Sequence, residues 1–258
     1  MKVSLVTAVW NAEGTISATI ASALAQKGVD LEYIVIDGAS TDGTVDIVRK
    51  AKDAAPDRDF KFVSGPDKGL YDAINKGIRM ATGDIVGILN SDDVFEDDRM
   101  LADIAAAFDD SVDAVYADIR FVRGESTSRY YSAKRWRPWM HRFGFMPPHP
   151  SVYIRRGVFE RLGLYKTDYR ISADFELMVR YFCRAGVRTR YLPRCVVKMT
   201  PGGLSTSGIR SKMLLNRENV RAERENGYCS CFAMMLPKYA FKVVGVLFPS
   251  VSPGRRGD

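Results

Sequence analysis

The chain has 258 residues, of which 46% are hydrophobic and 27% are charged. This composition is typical of a globular protein with a large core, and it excludes a disordered, collagen-like or coiled-coil chain. Two histidines exclude a multi-histidine metal centre, and four cysteines without a CxxC pair disfavour a disulfide scaffold or a structural zinc site. We therefore expect reduced thiols and a cytoplasmic chain. Because the sequence contains no apolar run of about 18 residues that is free of charges, no membrane span is predicted.

The net charge of +7 is divided unevenly along the chain. Residues 1–110 hold 11 basic and 20 acidic residues, a net of −9, whereas residues 111–258 hold 27 and 11, a net of +16. An acidic half suits a metal ion or a cationic group, and a basic half suits phosphates or an anionic membrane. The division predicts two halves with different partners.

The first 117 residues alternate strand patterns with helix patterns. Near-continuous apolar runs predict strands that are buried on both faces of a parallel sheet. These strands are Val3–Val9, Leu31–Ile36, Phe60–Val63, Ile85–Leu89 and Val112–Ala117. Helices are predicted at 14–26, from residue 44, at 71–81 and at 100–108. Such repeated units predict an α/β fold with helices on both faces of the sheet.

Beyond Asp118 the alternation stops, and the second half reads differently. A hairpin is predicted from 119–122 and 129–132, followed by a loop over 134–150. Three helices are predicted at 158–162, 172–185 and 206–226. Because no internal repeat or Gly/Ser linker separates the halves, we expect one continuous domain. Its parts are 1–118, 119–206 and a helical extension over 207–258, with a cleft between the first two.

Polar residues follow the predicted strands of the first half, and in an open parallel sheet ligands bind at that edge. Asn11 and Asp37 end the first two strands, and 64–68 and 90–93 follow the next two. The adjacent carboxylates Asp92 and Asp93 repel each other unless a cation or a ligand hydroxyl separates their roles, and oxygen ligands suit Mg²⁺ or Mn²⁺. Alternatively, both cap the next helix. No P-loop and no GxGxxG fingerprint is present.

Seven segments occur in an order and at a spacing that resemble one enzyme family over residues 3–206. They are VTAVWNAE (6–13), EYIVIDGASTDGT (32–44), DKGLYDAINKGI (67–78), GDIVGILNSDD (83–93), HPS (149–151), SADFEL (172–177) and GGLS (202–205). Together they resemble the family 2 inverting glycosyltransferases of the GT-A fold, in the branch that makes bacterial polysaccharides. The resemblance implies a Rossmann-like, mainly parallel sheet flanked by helices, with a basic C-terminal part on the acceptor side.

The resemblance also implies a donor site in residues 1–118. Asp37 matches the aspartate that recognises the nucleotide base, and the backbone around Ala8 and Val9 shapes the same pocket. Asn11 belongs to this site, and Lys68 lies in the loop that contacts the nucleotide. Ala8 stands where many members carry proline, which affects loop stiffness.

Three carboxylates carry the remaining implied roles. Asp92 would meet the donor ribose or sugar, and Asp93 would bind the metal that bridges the diphosphate. Asp174 matches the catalytic base that takes the proton of the acceptor hydroxyl. Alternatively, Asp174 only caps its helix, and Ser172 is itself a competent cap.

We therefore expect an inverting, metal-dependent glycosyltransferase. It would use Mn²⁺ or Mg²⁺ and move a sugar from a nucleotide-diphosphate donor, best matched by a UDP-sugar, to a saccharide or lipid-linked acceptor. One alternative is a sugar nucleotidyltransferase, although its Gly-rich basic signature is missing after the first strand. Another is a nucleic-acid-binding protein, which the basic second half favours and the acidic first half opposes. No nucleic-acid partner is expected.

Four features of the second half each allow two interpretations. His149 orients the acceptor or the base, or is a hydrogen-bonded loop histidine. The Gly202–Ser205 segment is a lid or a turn. The aromatic and basic residues of 129–143 stack on an acceptor sugar or pack against the sheet. Residues 232–248 are the most apolar stretch, and a helix is predicted from Pro237 to Phe248 with Lys238 and Lys242 on one face. This helix is too short to span a bilayer, so it lies on an anionic membrane at its cytoplasmic face or packs as core.

Overall fold

The structure, a computed structural model, describes residues 1–123, 126–200 and 208–239. Nine strands of these residues form one sheet. The strands are β1 Lys2–Val9, β2 Asp30–Asp37, β3 Asp59–Ser64, β4 Ile85–Ile88, β5 Val94–Phe95, β6 Ala114–Arg123, β7 Ser126–Tyr131, β8 Tyr153–Arg155 and β9 Thr189–Met199. The α-helices are α1 Ile16–Leu24, α2 Thr44–Asp53, α3 Leu70–Met80, α4 Met100–Ala106, α5 Arg156–Leu162, α6 Ala173–Met178 and α7 Ile209–Glu225.

The sheet is mainly parallel, as the sequence predicts. Its strand order is β3-β2-β1-β4-β8-β6-β9-β5, and β7 pairs with β6. Only β5, β7 and β8 run against the other described strands. Because β8 lies between β4 and β6, strands from both halves of the chain share one sheet.

Helices cover both faces of the sheet, and two hydrophobic cores result. Val6 and Ala8 of β1 belong to the core beneath α3, α5 and α6, whereas Val3 and Leu5 belong to the core beneath α1, α2 and α4. This alternation follows from the period of two in a strand. The apolar run of β1 is therefore needed in full, and the α/β prediction is confirmed.

Two glycines permit close approaches that any side chain would block. A Cβ on Gly87 of β4 would lie 2.0 Å from Cε1 of Tyr153 in β8. A Cβ on Gly77 of α3 would lie 2.3 Å from Cγ1 of Val6 in β1. Glycine thus brings β8 against β4 and α3 against the sheet.

The second half differs from its predicted elements in detail. The predicted strand 112–117 and the first hairpin arm 119–122 are one strand, β6, because the chain stays extended through Asp118. The predicted helix 172–185 is α6 followed by a wider π-helical turn over Val179–Arg184. The loop 134–150 contains 3-10 turns at Pro138–Phe143 and His149–Ser151.

Two interpretations of the sequence fall outside the described residues. The Gly202–Ser205 segment does so entirely, and the predicted helix Pro237–Phe248 is described only as far as residue 239. The apolar residues before it form a 3-10 turn at Phe232–Met235. Within the described ranges, no helix is both long and apolar enough to cross a bilayer.

Candidate functional site

The loops that follow β1 and β2 are bound to each other. Asn11 adopts a left-handed backbone conformation with φ 47°. Its side-chain Oδ1 accepts a hydrogen bond from the Thr41 backbone amide at 2.8 Å, and its backbone amide donates to Ser40 Oγ at 2.8 Å. One residue further, the Ala12 amide donates to Thr44 Oγ1 at 2.8 Å. The first two strand ends therefore form one ordered edge.

Asp37 is fully buried at this edge, at the end of β2. Its carboxylate accepts hydrogen bonds from the Ser40 amide at 3.1 Å, from Ser40 Oγ at 2.5 Å and from Ser64 Oγ at 2.6 Å. Asp37 thereby joins the ends of β2 and β3. A nucleotide base that bonded to this carboxylate would have to replace a serine.

Ala8 and Val9 precede this edge with buried side chains. The Val9 carbonyl accepts a hydrogen bond from the Gly38 amide at 2.9 Å. The side chains of these two residues therefore lie within the protein rather than on the edge of the sheet.

Lys68 lines a cleft of about 330 Å³ at the start of α3. The cleft lies between residues 68–72 and residues 167–170. Its loop is ordered by two carboxylates, since the Lys68 amide donates to Asp72 Oδ2 at 3.1 Å and the Gly69 amide donates to Asp67 Oδ1 at 2.7 Å. The Lys68 side chain itself is exposed and free to meet an anion.

Asp93 is a fully buried carboxylate with one unused oxygen. Its Oδ2 accepts a hydrogen bond from Asn90 Nδ2 at 2.7 Å, but its Oδ1 has no hydrogen-bond partner among the described residues. Burial raises the pKa of Asp93 to about 8, and the adjacent charge of Asp92 adds to this rise. Burial also raises the pKa of the partly buried Asp92.

The donor set of this pair fits a hard divalent cation. A buried carboxylate oxygen without a partner is costly, and a cation would compensate it. Over the described ranges, no group of three or more His, Cys, Asp or Glu side chains is placed to hold a metal ion. A cation at Asp93 would therefore need oxygens from a substrate to complete its coordination, as Mg²⁺ commonly does with phosphates.

Asp174 lies in the first turn of α6, and it is not a capping residue. Its Oδ1 accepts a hydrogen bond from the next amide, Phe175 N, at 2.8 Å, and the Tyr71 hydroxyl lies 3.4 Å from the same oxygen. The cap position belongs to Ser172, whose side chain makes no capping hydrogen bond. Burial raises the pKa of Asp174, and the nearby His149 opposes that rise.

Two tyrosines connect Asp174 to His149. The Tyr165 hydroxyl lies 2.8 Å from His149 Nε2, and the Tyr165 ring stacks on Tyr71 with centroids 5.8 Å apart. Burial lowers the pKa of His149, so its imidazole is neutral near pH 7. Asn75 holds the Tyr165 backbone through hydrogen bonds of 2.8 and 3.0 Å. His149 is thus a bonded member of the cluster around Asp174.

The sequence interpretation missed both tyrosines. Tyr71 lies within DKGLYDAINKGI (67–78), one of the seven segments that carry the resemblance, but the sequence interpretation gives it no role. Tyr165 lies in a connection between α5 and α6 without any motif. Its position depends on Asn75, which is 90 residues distant in the chain.

The aromatic residues of 129–143 divide between core and surface. Trp136 is buried edge-on against Tyr116 and Phe182. Trp139, three residues later, is 62% exposed and contacts Phe143. Packing therefore accounts for Trp136, and Trp139 remains available at the surface.

Comparisons with known proteins show the family and the fold of the chain. The family model "Glycosyl transferase family 2" matches residues 4–196. A "PGL/p-HBAD biosynthesis glycosyltransferase" of Mycobacterium tuberculosis is 29% identical over 216 residues, which are 82% of this chain and 82% of that protein. The "Succinoglycan biosynthesis protein ExoO" of Rhizobium meliloti is 29% identical over 219 residues, 78% of this chain and 59% of that protein.

Solved structures share the fold at low identity. Residues 1–349 of S. aureus TarS in complex with UDP-GlcNAc are 17% identical with a TM-score of 0.64, covering 97% of this chain and 73% of that one. The chain spans 44% of the length of the longer TarS structure. A mannosyltransferase of Pyrobaculum calidifontis in complex with GDP-Man and Mn²⁺ is 20% identical with a TM-score of 0.60, covering 97% and 81%.

The fold and the polar edge of the sheet define a glycosyltransferase of the GT-A class. The chain belongs to glycosyl transferase family 2, whose model matches three quarters of its length.

Asp93→Asn is predicted to stabilise the metal-free protein at high pH. The folded wild type keeps the Asp93 proton up to a pKa of about 8, whereas the unfolded chain releases it near the ordinary value of 3.8. Wild-type stability is therefore lost as the pH rises through this window, and asparagine does not titrate. Urea unfolding in EDTA should give the variant a higher free energy of unfolding than wild type, and the difference should be larger at pH 9 than at pH 5. Asp110→Asn, at an exposed carboxylate, controls for the lost charge. An advantage independent of pH would contradict the prediction.

Proposed function

We propose that this chain is an inverting, metal-dependent glycosyltransferase that transfers a sugar from a UDP-sugar to a saccharide or lipid-linked acceptor in cell-surface polysaccharide synthesis. One observation carries the proposal: Tyr71 lines the cleft that holds Lys68, and its hydroxyl also lies 3.4 Å from Asp174. Tyr71 thus connects the cleft that holds a cation for a diphosphate to a carboxylate of raised pKa.

The relatives support the substrate class. TarS has been solved with UDP-GlcNAc, and ExoO is named for succinoglycan biosynthesis. Their names point to UDP-sugars and to surface glycans. We propose the same donor nucleotide and the same type of product for this chain.

Asp174 would act as the general base. As the acceptor oxygen forms its bond to the anomeric carbon, the bond from that carbon to the diphosphate breaks, and the hydroxyl proton moves to Asp174. Attack opposite the leaving group inverts the anomeric configuration. A pKa raised by burial makes this carboxylate a stronger proton acceptor than a solvated one. The hydrogen bond between the neutral His149 and the Tyr165 hydroxyl would hold these two side chains in place near Asp174.

The donor would lie along the edge from β1 to β4. Asp37 and the backbone of Ala8 and Val9 would receive the base beside Asn11. Lys68 would neutralise part of the diphosphate, and Asp92 would bind the ribose or the sugar. All of these residues lie at or after the ends of strands β1 to β4, which are neighbours in the sheet.

Asp93 would hold Mn²⁺ or Mg²⁺ through its unpaired Oδ1. When bound, such an ion stabilises negative charge on a departing diphosphate. Asn90 would keep the Asp93 carboxylate oriented through its hydrogen bond to Oδ2. In this scheme residues 1–118 bind the donor, residues 119–206 bind the acceptor and supply the base, and residues 207–258 form the extension.

We further propose that the protein works on the cytoplasmic face of an anionic membrane. The apolar side chains of Trp139, Phe232 and Leu236 are 62%, 44% and 51% exposed. Trp139 lies in the turn Pro138–Phe143, which contacts the turn Phe232–Met235, and Leu236 directly follows that second turn. Arginines 135, 137 and 142 are exposed around Trp139, and no described carboxylate pairs with them. Exposed aromatics ringed by arginine suit an interface of acyl chains and anionic headgroups.

Asp93→Ala should abolish the effect of Mn²⁺ on nucleotide binding. Without the carboxylate, the ion has lost its protein ligand, so Mn²⁺ should no longer tighten UDP binding. Calorimetry should show a Kd at least about 10-fold weaker than wild type in Mn²⁺, or about 1.4 kcal/mol. The two proteins should bind alike in EDTA. Asp98→Ala, at a partly exposed carboxylate five residues on that pairs with Lys27, is the control. A Mn²⁺-dependent gain in the Asp93 variant would refute the metal assignment.

Asp174→Asn should lower kcat about 100-fold or more, the scale for loss of a general base. The amide keeps an oxygen that can accept the Phe175 hydrogen bond, so the fold and the Kd for UDP should change little. The measurement is UDP release with a panel of UDP-sugars and acceptors, beside the melting temperature. Near-normal turnover by the folded variant would exclude Asp174 as the base.

Trp139→Ala and Arg135→Gln should each weaken binding to anionic vesicles. A cation near the surface contributes roughly 1 kcal/mol, so Arg135→Gln should weaken partitioning about 5-fold at low salt. Sedimentation with vesicles of equal parts phosphatidylglycerol and phosphatidylcholine measures this. Trp10→Ala is the matched control, because Trp10 is 67% exposed at the donor edge. Equal losses from both tryptophan variants, or no binding by wild type, would reject this surface.

A further inference from the structure

Glu218 of α7 holds the turn that precedes α6. Its side chain is buried, and its carboxylate accepts three consecutive backbone hydrogen bonds. The Arg170 amide donates to Oε1 at 2.8 Å, and the amides of Ile171 and Ser172 each donate to Oε2 at 2.9 Å. Hydrogen bonds to an ionised acceptor are stronger than neutral ones. Ser172, the residue before α6, makes no capping hydrogen bond with its own side chain, and Glu218 holds the backbone at this point from a different helix.

The same turn is fixed from its other side by Tyr71. The Tyr71 hydroxyl donates to the Ile171 carbonyl at 2.5 Å and also lies 3.4 Å from Asp174 Oδ1. Ile171 is therefore held at its amide by Glu218 and at its carbonyl by Tyr71. Asp174 follows three residues later, on the first turn of α6.

A neighbouring residue of α7 contacts the turn as well. Asn219, with its amide oriented to satisfy both polar atoms, donates to Ser172 Oγ at 2.9 Å and to the Leu215 carbonyl at 3.0 Å. Two adjacent residues of α7 thus bind the three residues before α6. The contact is local to this turn, because other acids of α7 bind elsewhere, as Glu225 does with Lys166, Arg221 and Tyr169.

We propose that Glu218 is a positioning residue for the general base Asp174. The inference rests on the proposed function, and it extends that function to a helix outside the segments that resemble the family. Glu218 contacts no reacting atom; it fixes the start of α6, and so the distance from the Asp174 carboxylate to the acceptor hydroxyl. A displacement of about 1 Å at a reacting group can cost about 100-fold in rate.

Glu218→Gln tests the proposal with little change in side-chain size. The amide nitrogen cannot accept, so at least one of the three backbone hydrogen bonds is lost. Glu225→Gln is the matched control on the same helix, since it removes one carboxylate without touching residues 170–172. The readouts are kcat and the donor KM from UDP release, and hydrogen–deuterium exchange of the amides of 170–172. We expect Glu218→Gln to lower kcat about 10-fold or more, to leave the donor KM within about twofold, and to speed exchange at these amides.

Three results would overturn the proposal. They are faster exchange with unchanged kcat, unchanged exchange at 170–172, and an equal loss of kcat in Glu225→Gln. If Glu218→Gln does not fold, Glu218→Asp is judged by the same criteria, because it keeps the charge and withdraws the carboxylate by one methylene. If wild type turns over no UDP-sugar, the proposed function fails. Exchange at 170–172 still decides whether Glu218 holds the turn, so the two failures are distinguishable.

Discussion

The three-residue strand β8 is the element on which the arrangement of the site depends. It pairs with β4 on one side and with β6 on the other, so it joins the parallel donor-side strands to the rest of the sheet. Tyr153 of β8 is completely buried over Gly87, and only glycine permits that contact. The turn His149–Ser151 ends two residues before β8 begins. The pairing of β8 therefore fixes His149 relative to β4, whose end leads to Asp92 and Asp93.

The environment gives the buried acids of this protein different properties. Asp118 accepts hydrogen bonds from two tyrosines and one amide at 2.7–2.8 Å, and Asp37 is bonded to two serines, so both have structural partners. Asp93 keeps an oxygen without a partner, and Asp174 is bonded on only one oxygen among the described residues. Burial raises the pKa of both of these acids. Identical side chains thus acquire different properties through their neighbours.

The parts of the fold that follow local rules could be predicted from the sequence, and the parts that depend on distant partners could not. The apolar runs of β1, β2 and β4 and the polar residues after them identify the sheet and its polar edge. In contrast, β8 is too short to show a pattern, and it is recognisable only by its position between β4 and β6. Tyr165 and Glu218 carry no motif, because their contacts are made with Asn75 and with the amides of 170–172.

The bonded loops after β1 and β2 have a consequence for ligand affinity. Besides the contacts of Asn11 and Ala12, the Glu13 amide donates to Asp42 Oδ2, and Glu13 Oε2 accepts from the Gly43 amide at 2.7 Å. These hydrogen bonds are made within the protein and need no ligand, so binding would immobilise little further backbone. A nucleoside seated there would lose mainly its own freedom of motion. The free energy of its contacts would then remain available to orient the more mobile sugar and diphosphate.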